Sequence, residues 1–373
     1  MPSDAAISST TPGGYGSVAG ILKQRARRRQ LLLSGFGLSA GLIGFLALGV
    51  GAVGVPPMHV LQALLAQLGL PTVAEVPAHH LLVIDSIRLP RILLGLFVGA
   101  ALAVSGAVLQ ALFRNPLADP GLVGVSSGAA LAAVSTIVLG GALAPQLFDI
   151  LDRFALPLSA FLGGLAATAL IYRIGQVGGF VDVATMLLAG IAINALSGAG
   201  IGMLTYLSDD AQLRALTFWT MGSLGAASWP VILPAMAVMA AACGFLIAVR
   251  GRLTLLLLGE REAAHLGVDV DRLKRRAIVA VALSVGAAVS VSGLIGFVGL
   301  VVPHLVRLMG GSDCRYVLPG AAFLGGALLV LADSFARVVV LPAELPIGLV
   351  TAIIGGPFFL WLLARRRGGA ARL

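Results

Sequence analysis

Residues 276–309 read RAIVAVALSVGAAVSVSGLIGFVGLVVPHLVRLM, and the way this stretch divides decides the architecture of the whole chain. As one straight helix it would run to about 50 Å at about 1.5 Å per residue, well beyond a hydrocarbon core of about 30 Å. Gly293, Gly296 and Gly299 offer the place to break it. Broken there, it yields two apolar spans, at about 276–293 and 295–309.

Working outward, further apolar runs lie at about 31–55, 90–112, 121–141, 155–175, 183–207, 229–249, 317–340 and 345–363. Pro, Gly or charge punctuates the intervals: Pro56-Pro57, Asn115-Pro116, Pro145, Gly178-Gly179, Asp209-Asp210 and Pro342. Each run is at or near the roughly 20 apolar residues that a membrane-crossing helix needs. Hydrophobic residues make up 58% of the 373 and charged residues 11%, against about a quarter charged in a soluble domain. The expected fold is an all-α polytopic membrane protein with ten transmembrane helices.

Charge placement sets the orientation. Lys23, Arg25, Arg27, Arg28 and Arg29 precede the first span, and Arg365, Arg366, Arg367 and Arg372 follow the last. Both ends therefore prefer the cytoplasmic side, which requires an even number of crossings. Ten crossings leave only Arg88, Arg91, Arg153, Arg214 and Arg337 of the 25 basic residues outside. The net charge of +9 belongs to cytoplasmic loops and tails, so a nucleic-acid partner is not expected. Residues 1–30 read as a disordered basic cytoplasmic tail, 31–366 as the membrane domain, and 367–373 as a second tail. The run beginning at Leu31 is too long for the apolar stretch of a cleaved signal peptide. The 49 glycines, many inside spans, imply helices packed at close range.

Missing chemistry narrows the function. The two lysines, Lys23 and Lys274, do not follow glycine, so the Gly-Lys-Ser/Thr of a phosphate-binding loop is absent. If ATP drives this protein, another polypeptide hydrolyses it. His59, His79 and His80 share an outer loop without ligand spacing or supporting acids, and no metal site is expected. Cys243 and Cys314 read as unpaired thiols. Gly124-Val125-Ser126-Ser127-Gly128 matches the nucleophile elbow of serine hydrolases. At the start of a membrane helix, however, its Ser and Gly serve packing and capping.

Three features carry functional hypotheses. Asp333 is a carboxylate inside an apolar span, as an ion-coupled carrier would require, yet Arg337 stands four residues on and offers a local ion pair. Arg88 and Arg91 stand at the outer mouth of the second span and Arg337 at the outer end of the ninth, suiting either lipid headgroups or an acidic partner. The segment LGEREAAHLGV, 258–268, between the sixth and seventh spans, would present Ala263, Leu266 and Gly267 as a small apolar patch among charges. It is either a solvated loop helix or a docking knob for a cytoplasmic subunit.

Long motifs in this chain resemble the FecCD family of permeases. They are RLPRILLGLFVGAALAVSGAVLQALFRNPLADPGLVGVSSGAA (88–130), TFWTMGSL (217–224), LGEREAAHLGV, GLIGFVGLVVPHLVRL (293–308), LADSFARVVV (331–340) and ELPIGLVTAIIGGPFFLWLL (344–363). The similarity spans about residues 35–366. It implies the type II, vitamin-B12-permease-like importer fold, as a multi-pass homodimer in the bacterial inner membrane. It further implies two cytoplasmic ATP-binding subunits, which hold ATP and Mg, and a periplasmic substrate-binding protein. This chain would then hold no cofactor and perform no bond chemistry.

By the same resemblance, Arg88, Arg91 and Arg337 would receive acidic residues of the binding protein. Cytoplasmic helices at about 252–272 would contact the ATPase through Glu260, Arg261, Ala264, Leu266 and Gly267. The Asn115-Pro116-Leu117 turn would lie at the cytoplasmic gate, and the fifth and tenth spans would line the path, with Met186, Met203 and Tyr206 near the cargo. ADPGLVGVSSGAAL and LTFWTMGSL look most like haem permeases, whereas B12 permeases more often read AEPGLLGVSNGAG. Haem is the expected cargo, with ferric siderophore or vitamin B12 as alternatives.

Overall fold

A computed structural model of the chain describes residues 14–370, apart from 52, 73–74 and 179. Residues 1–13 and 371–373, the ends of the two expected tails, lie outside the described residues.

Among the described residues sixteen α-helices follow one another: α1 Gly14–Gly49, α2 Pro57–Gln67, α3 Ala78–Leu82, α4 Leu89–Leu112, α5 Val125–Leu143, α6 Pro145–Leu151, α7 Ala155–Ile174, α8 Val183–Leu207, α9 Asp210–Met221, α10 Trp229–Ala248, α11 Arg250–Leu256, α12 Glu260–His265, α13 Val270–Ser292, α14 Val298–Gly310, α15 Cys314–Ala336 and α16 Ile347–Ala370. A two-residue antiparallel ribbon pairs Gln176–Val177 with Phe180–Val181. Among the described residues eight helical segments are long and apolar enough to cross a membrane, and two shorter apolar stretches, Val298–Gly310 and Ile347–Trp361, complete the expected ten.

Neither tail is wholly irregular. Residues 14–30 continue α1 as helix and 367–370 continue α16. From Ile21 to Gln30 the chain is built of Leu, Lys, Arg, Gln, Ala and one Ile, with no Gly or Pro to stop a helix that the first span nucleates.

The central helix is α4, buried along nearly its whole length. Its neighbours approach at glycines. A Cβ on Gly99 would overlap the Gly325 carbonyl on α15, and one on Gly106 would overlap the Gly299 carbonyl on α14. Close backbone approach of this kind is how helices gain dispersion energy where lipid offers no hydrophobic drive.

The break in 276–309 falls where the glycines allow it. α13 ends at Ser292, and Gly293 takes φ 66° and ψ −162°, a backbone state that a side chain resists. α14 has only 13 residues, about 20 Å. The stretch 293–297 completes the crossing without helix, which is tolerated at depth only where protein covers it. Here Gly293, against the Trp219 carbonyl, and Ile295 are buried, Leu294 and Phe297 are half-buried, and Gly296 is exposed, while Ser223 N ties the end of α13 by donating to Ser292 O at 2.8 Å.

Aspartates outside the spans start helices. Asp182, Asp209, Asp269 and Asp313 accept backbone N–H bonds at the first turns of α8, α9, α13 and α15, and Asp209 with Gln212 forms a capping box. The Gly124–Gly128 motif departs from its expected capping role. Gly124 takes φ 77°, no side chain caps α5, and Ser127 Oγ donates to Asn194 Oδ1 on α8 at 2.6 Å.

Candidate functional site

At the outer end, α1, α4 and α15 meet around a buried charge cluster. Asp333 on α15 is only 2% exposed. It accepts from Arg91 Nε at 3.0 Å and from Nη2 at 2.8 Å, and Arg337 Nε lies 3.1 Å away as an ion pair. The local Asp333–Arg337 pair expected from the i,i+4 spacing is present, and Arg91 joins it from the far side. Arg91 Nη1 donates to Glu344 Oε2 at 2.8 Å. Of the two carboxylates Arg91 holds, Asp333 is sealed and Glu344 is half-exposed.

Arg337 and a third arginine, Arg88, also hold the end of α1 and the turn that follows it. Arg88 Nη1 donates to Leu48 O at 2.6 Å and Nη2 to Val53 O, while Arg337 Nη1 donates to Val50 O at 3.2 Å. The last carbonyls of a helix have no partner within it and carry partial negative charge, so guanidinium groups satisfy both needs. The expectation that Arg88, Arg91 and Arg337 present their charge at the outer surface is therefore corrected. They are 4%, 6% and 5% exposed and are used within the chain. An Asp333 clasped by two guanidinium groups has little left to offer a coupling ion, which weighs against the ion-coupled carrier.

At the cytoplasmic end, α11 and α12 form a knob between α10 and α13. α12 ends in a Schellman motif, with Gly267 at φ 84°, Gly267 N donating to Ala264 O at 2.9 Å and Val268 N to Ala263 O at 3.0 Å. Glu260 Oε2 meets Lys274 Nζ of α13 at 2.7 Å, tying the knob to a membrane helix. Of the expected patch, Leu266 and Gly267 face outward and Ala263 does not. Ala263 faces the core, and the outward apolar side chains are Leu257, Leu258 and Leu266, with Arg261, Ala264 and Gly267 exposed beside them. Leu257 lies outside the segment singled out from sequence, because α12 begins only at Glu260 and the turn before it points outward.

The Asn115–Leu117 turn is built rather than loose. Asn115 Oδ1 accepts from Leu117 N at 3.0 Å, and Gln110 Nε2 donates to Ala118 O and Gly299 O. Burial pushes the Asp119 carboxyl above its ordinary range, opposed by its bond from Gly121 N. Arg307 donates to Gln110 Oε1, so α14 and the turn share one polar cluster.

Of the three residues expected near the cargo, Met186 is buried against Gly175 and faces the protein, which corrects its reading as a path residue. Met203 and Tyr206 stand outward on α8, 60% and 85% exposed. On the outer side, His59 Nδ1 of α2 and His80 Nδ1 of α3 share a hydrogen bond at 2.8 Å.

The FecCD transport family matches residues 38–365. This chain is a member of that family. The FecCD permease is 51% identical over 282 residues to the hemin transport system permease protein of Yersinia pestis, covering 76% of this chain and 83% of that one. It is 43% identical over 316 residues to the cobalamin import system permease protein of Halobacterium salinarum, covering 85% and 81%. A solved structure of a metal-chelate type ABC transporter in an inward-facing conformation matches with a TM-score of 0.77 and 32% identity, over 90% of this chain and 99% of that one. The FecCD permease is thus a membrane-spanning subunit of an ABC importer. ATP hydrolysis belongs to separate subunits, and the family works with a binding protein.

Proposed function

We propose that this permease carries haem across the bacterial inner membrane as a homodimer, gated by two ATP-binding subunits below and a periplasmic binding protein above. The supporting observation is the 51% identity with the hemin permease, against 43% with the cobalamin permease. Haem is a flat apolar ring whose iron accepts His, Tyr or Met. Met203 and Tyr206 lie three residues apart on the exposed side of α8 and offer a thioether and a phenol. Two such side chains hold cargo weakly enough to release it. Leu188, Ile191 and Leu196 of α8 and Ile353, Ile354 and Leu360 of α16 leave apolar faces uncovered, where the second copy packs.

The gating cycle follows from the two ends of the molecule. Closure of the ATP-binding subunits pushes on Leu257, Leu258 and Leu266, and the Glu260–Lys274 pair carries that push into α13 and on to the 293–297 break. On the outer side, a carboxylate of the binding protein reaches Arg91 by taking the place of Glu344. E344Q should then tighten binding-protein association, and unchanged association would remove this docking route. The function itself is tested by uptake into proteoliposomes with the cognate partners, comparing haem, a ferric siderophore and cobalamin. Haem should be taken up fastest; preference for either competitor would reassign the cargo.

A further inference from the structure

A groove runs between α10 and α13 at their cytoplasmic ends. It encloses about 710 Å³, and Ala241, Phe245, Val279 and Leu283 line its apolar walls while Arg275 and Arg276 close its cytoplasmic end. Val279 is 53% exposed. A second cavity of about 340 Å³ continues the same groove along α10 and α13, sharing Val238.

The charges at its end form no ion pair among the described residues. On this part of α13, Arg272 pairs with Asp269 and Lys274 with Glu260, but Arg275 and Arg276 form no ion pair among the described residues. Both are exposed, in the second turn of α13 at its cytoplasmic end. From Arg275 to Leu283 the helix rises about 12 Å, close to the depth of one leaflet in a core of about 30 Å. An apolar channel one leaflet deep, headed by two unpaired cations on the cytoplasmic side, has the shape and charge of one lipid.

We propose that this groove binds an anionic phospholipid of the cytoplasmic leaflet, with one acyl chain between α10 and α13 and the phosphate on Arg275 and Arg276. Basic pockets between membrane helices on this side are suited to such headgroups. The site adjoins Lys274, whose bond to Glu260 ties α13 to the cytoplasmic knob, so the lipid braces the helix that receives the push.

The test uses the full-length chain in nanodiscs of phosphatidylcholine with a graded fraction of phosphatidylglycerol, and native mass spectrometry to count retained lipids. Phosphatidylglycerol should be retained in preference to phosphatidylcholine. Replacing Arg275 and Arg276 with Gln should weaken phosphatidylglycerol retention roughly fivefold for each arginine removed, and A241F should displace the acyl chain of either lipid. All three positions are exposed, so unchanged melting in pure phosphatidylcholine confirms folding. Equal retention of the two lipids by the unaltered chain, or undiminished phosphatidylglycerol on R275Q/R276Q, would overturn the proposal. So would disulfide cross-linking of V279C between two copies, which would make the groove an interface.

Discussion

Replacing Asp333 with Asn keeps the side-chain shape and removes only the charge. In the native chain that carboxylate takes two guanidinium groups, from Arg91 at 2.8 Å and Arg337 at 3.1 Å, and all three side chains are nearly sealed. D333N leaves two buried cations facing each other, with Glu344 and the carbonyls ending α1 as their remaining partners. Removing one partner of a buried ion pair costs about 3–5 kcal/mol. Glu344 offsets part of this for Arg91, so about 3 kcal/mol is expected, roughly a hundredfold in the folded-to-unfolded ratio. The assay is thermal unfolding in detergent, with membrane abundance measured alongside. The double variant D333N/R337Q removes an anion and a cation together and should recover much of the loss, as coupled neighbours do. Unchanged melting of D333N would refute the view that this cluster pins α1, α4 and α15. Uptake that loses its dependence on a proton gradient in D333N would refute it in a different way, by making Asp333 an ion-coupling group.

Further predictions concern packing, pH and coupling. G106L places a branched side chain where the Gly299 carbonyl stands, and should cost about 1–3 kcal/mol or more by overpacking, read as reduced abundance and a lower Tm. Asp313 joins the α14–α15 loop to α1 through Arg29 at 2.8 Å. Its burial opposes ionisation, but bonds from Arg315 N, Thr254 and Arg29 outweigh that and hold its carboxyl below its ordinary 3.8. A depressed value adds stability above 3.8 that is lost as pH falls through the folded value. Melting curves should therefore separate the native chain from D313N by about 0.5–1 kcal/mol at pH 5–8, with the gap closing below pH 3.8. G267V forces a branched residue to φ 84° at the end of α12 and should distort the knob. ATP-binding subunits should still hydrolyse ATP beside this variant, while uptake per ATP falls severalfold; unchanged coupling would dismiss the knob as the contact.

Much of this fold was legible because bilayer thickness and helix rise are rigid rulers. The need for a break in 276–309 follows from length and its place from Gly293, Gly296 and Gly299, and the Asp333–Arg337 pair follows from helical spacing. Arg91 could not be added to that pair, because 242 residues separate it from Asp333 and only tertiary packing joins them. Charge counting told on which side Arg88 and Arg337 lie but not how deep, since the open carbonyls of α1 leave no mark in composition. With six residues, α12 is too short for apolar spacing to tell its outward face, so Ala263 lies inward against expectation and Leu257 joins the outer face from the turn before it. Met186 was misplaced for a related reason. Apolar residues cover every face of α8, and periodicity cannot separate its buried side from its exposed one.

The central claim is that this permease is a gate driven by ATP-hydrolysing subunits it does not contain. The most direct measurement compares the purified chain in proteoliposomes alone and with its ATP-binding and substrate-binding partners, following cargo uptake and phosphate release together. Neither activity is expected from the chain alone, and both are expected, coupled, once the partners are added. Uptake or ATP hydrolysis by the chain alone would contradict the account.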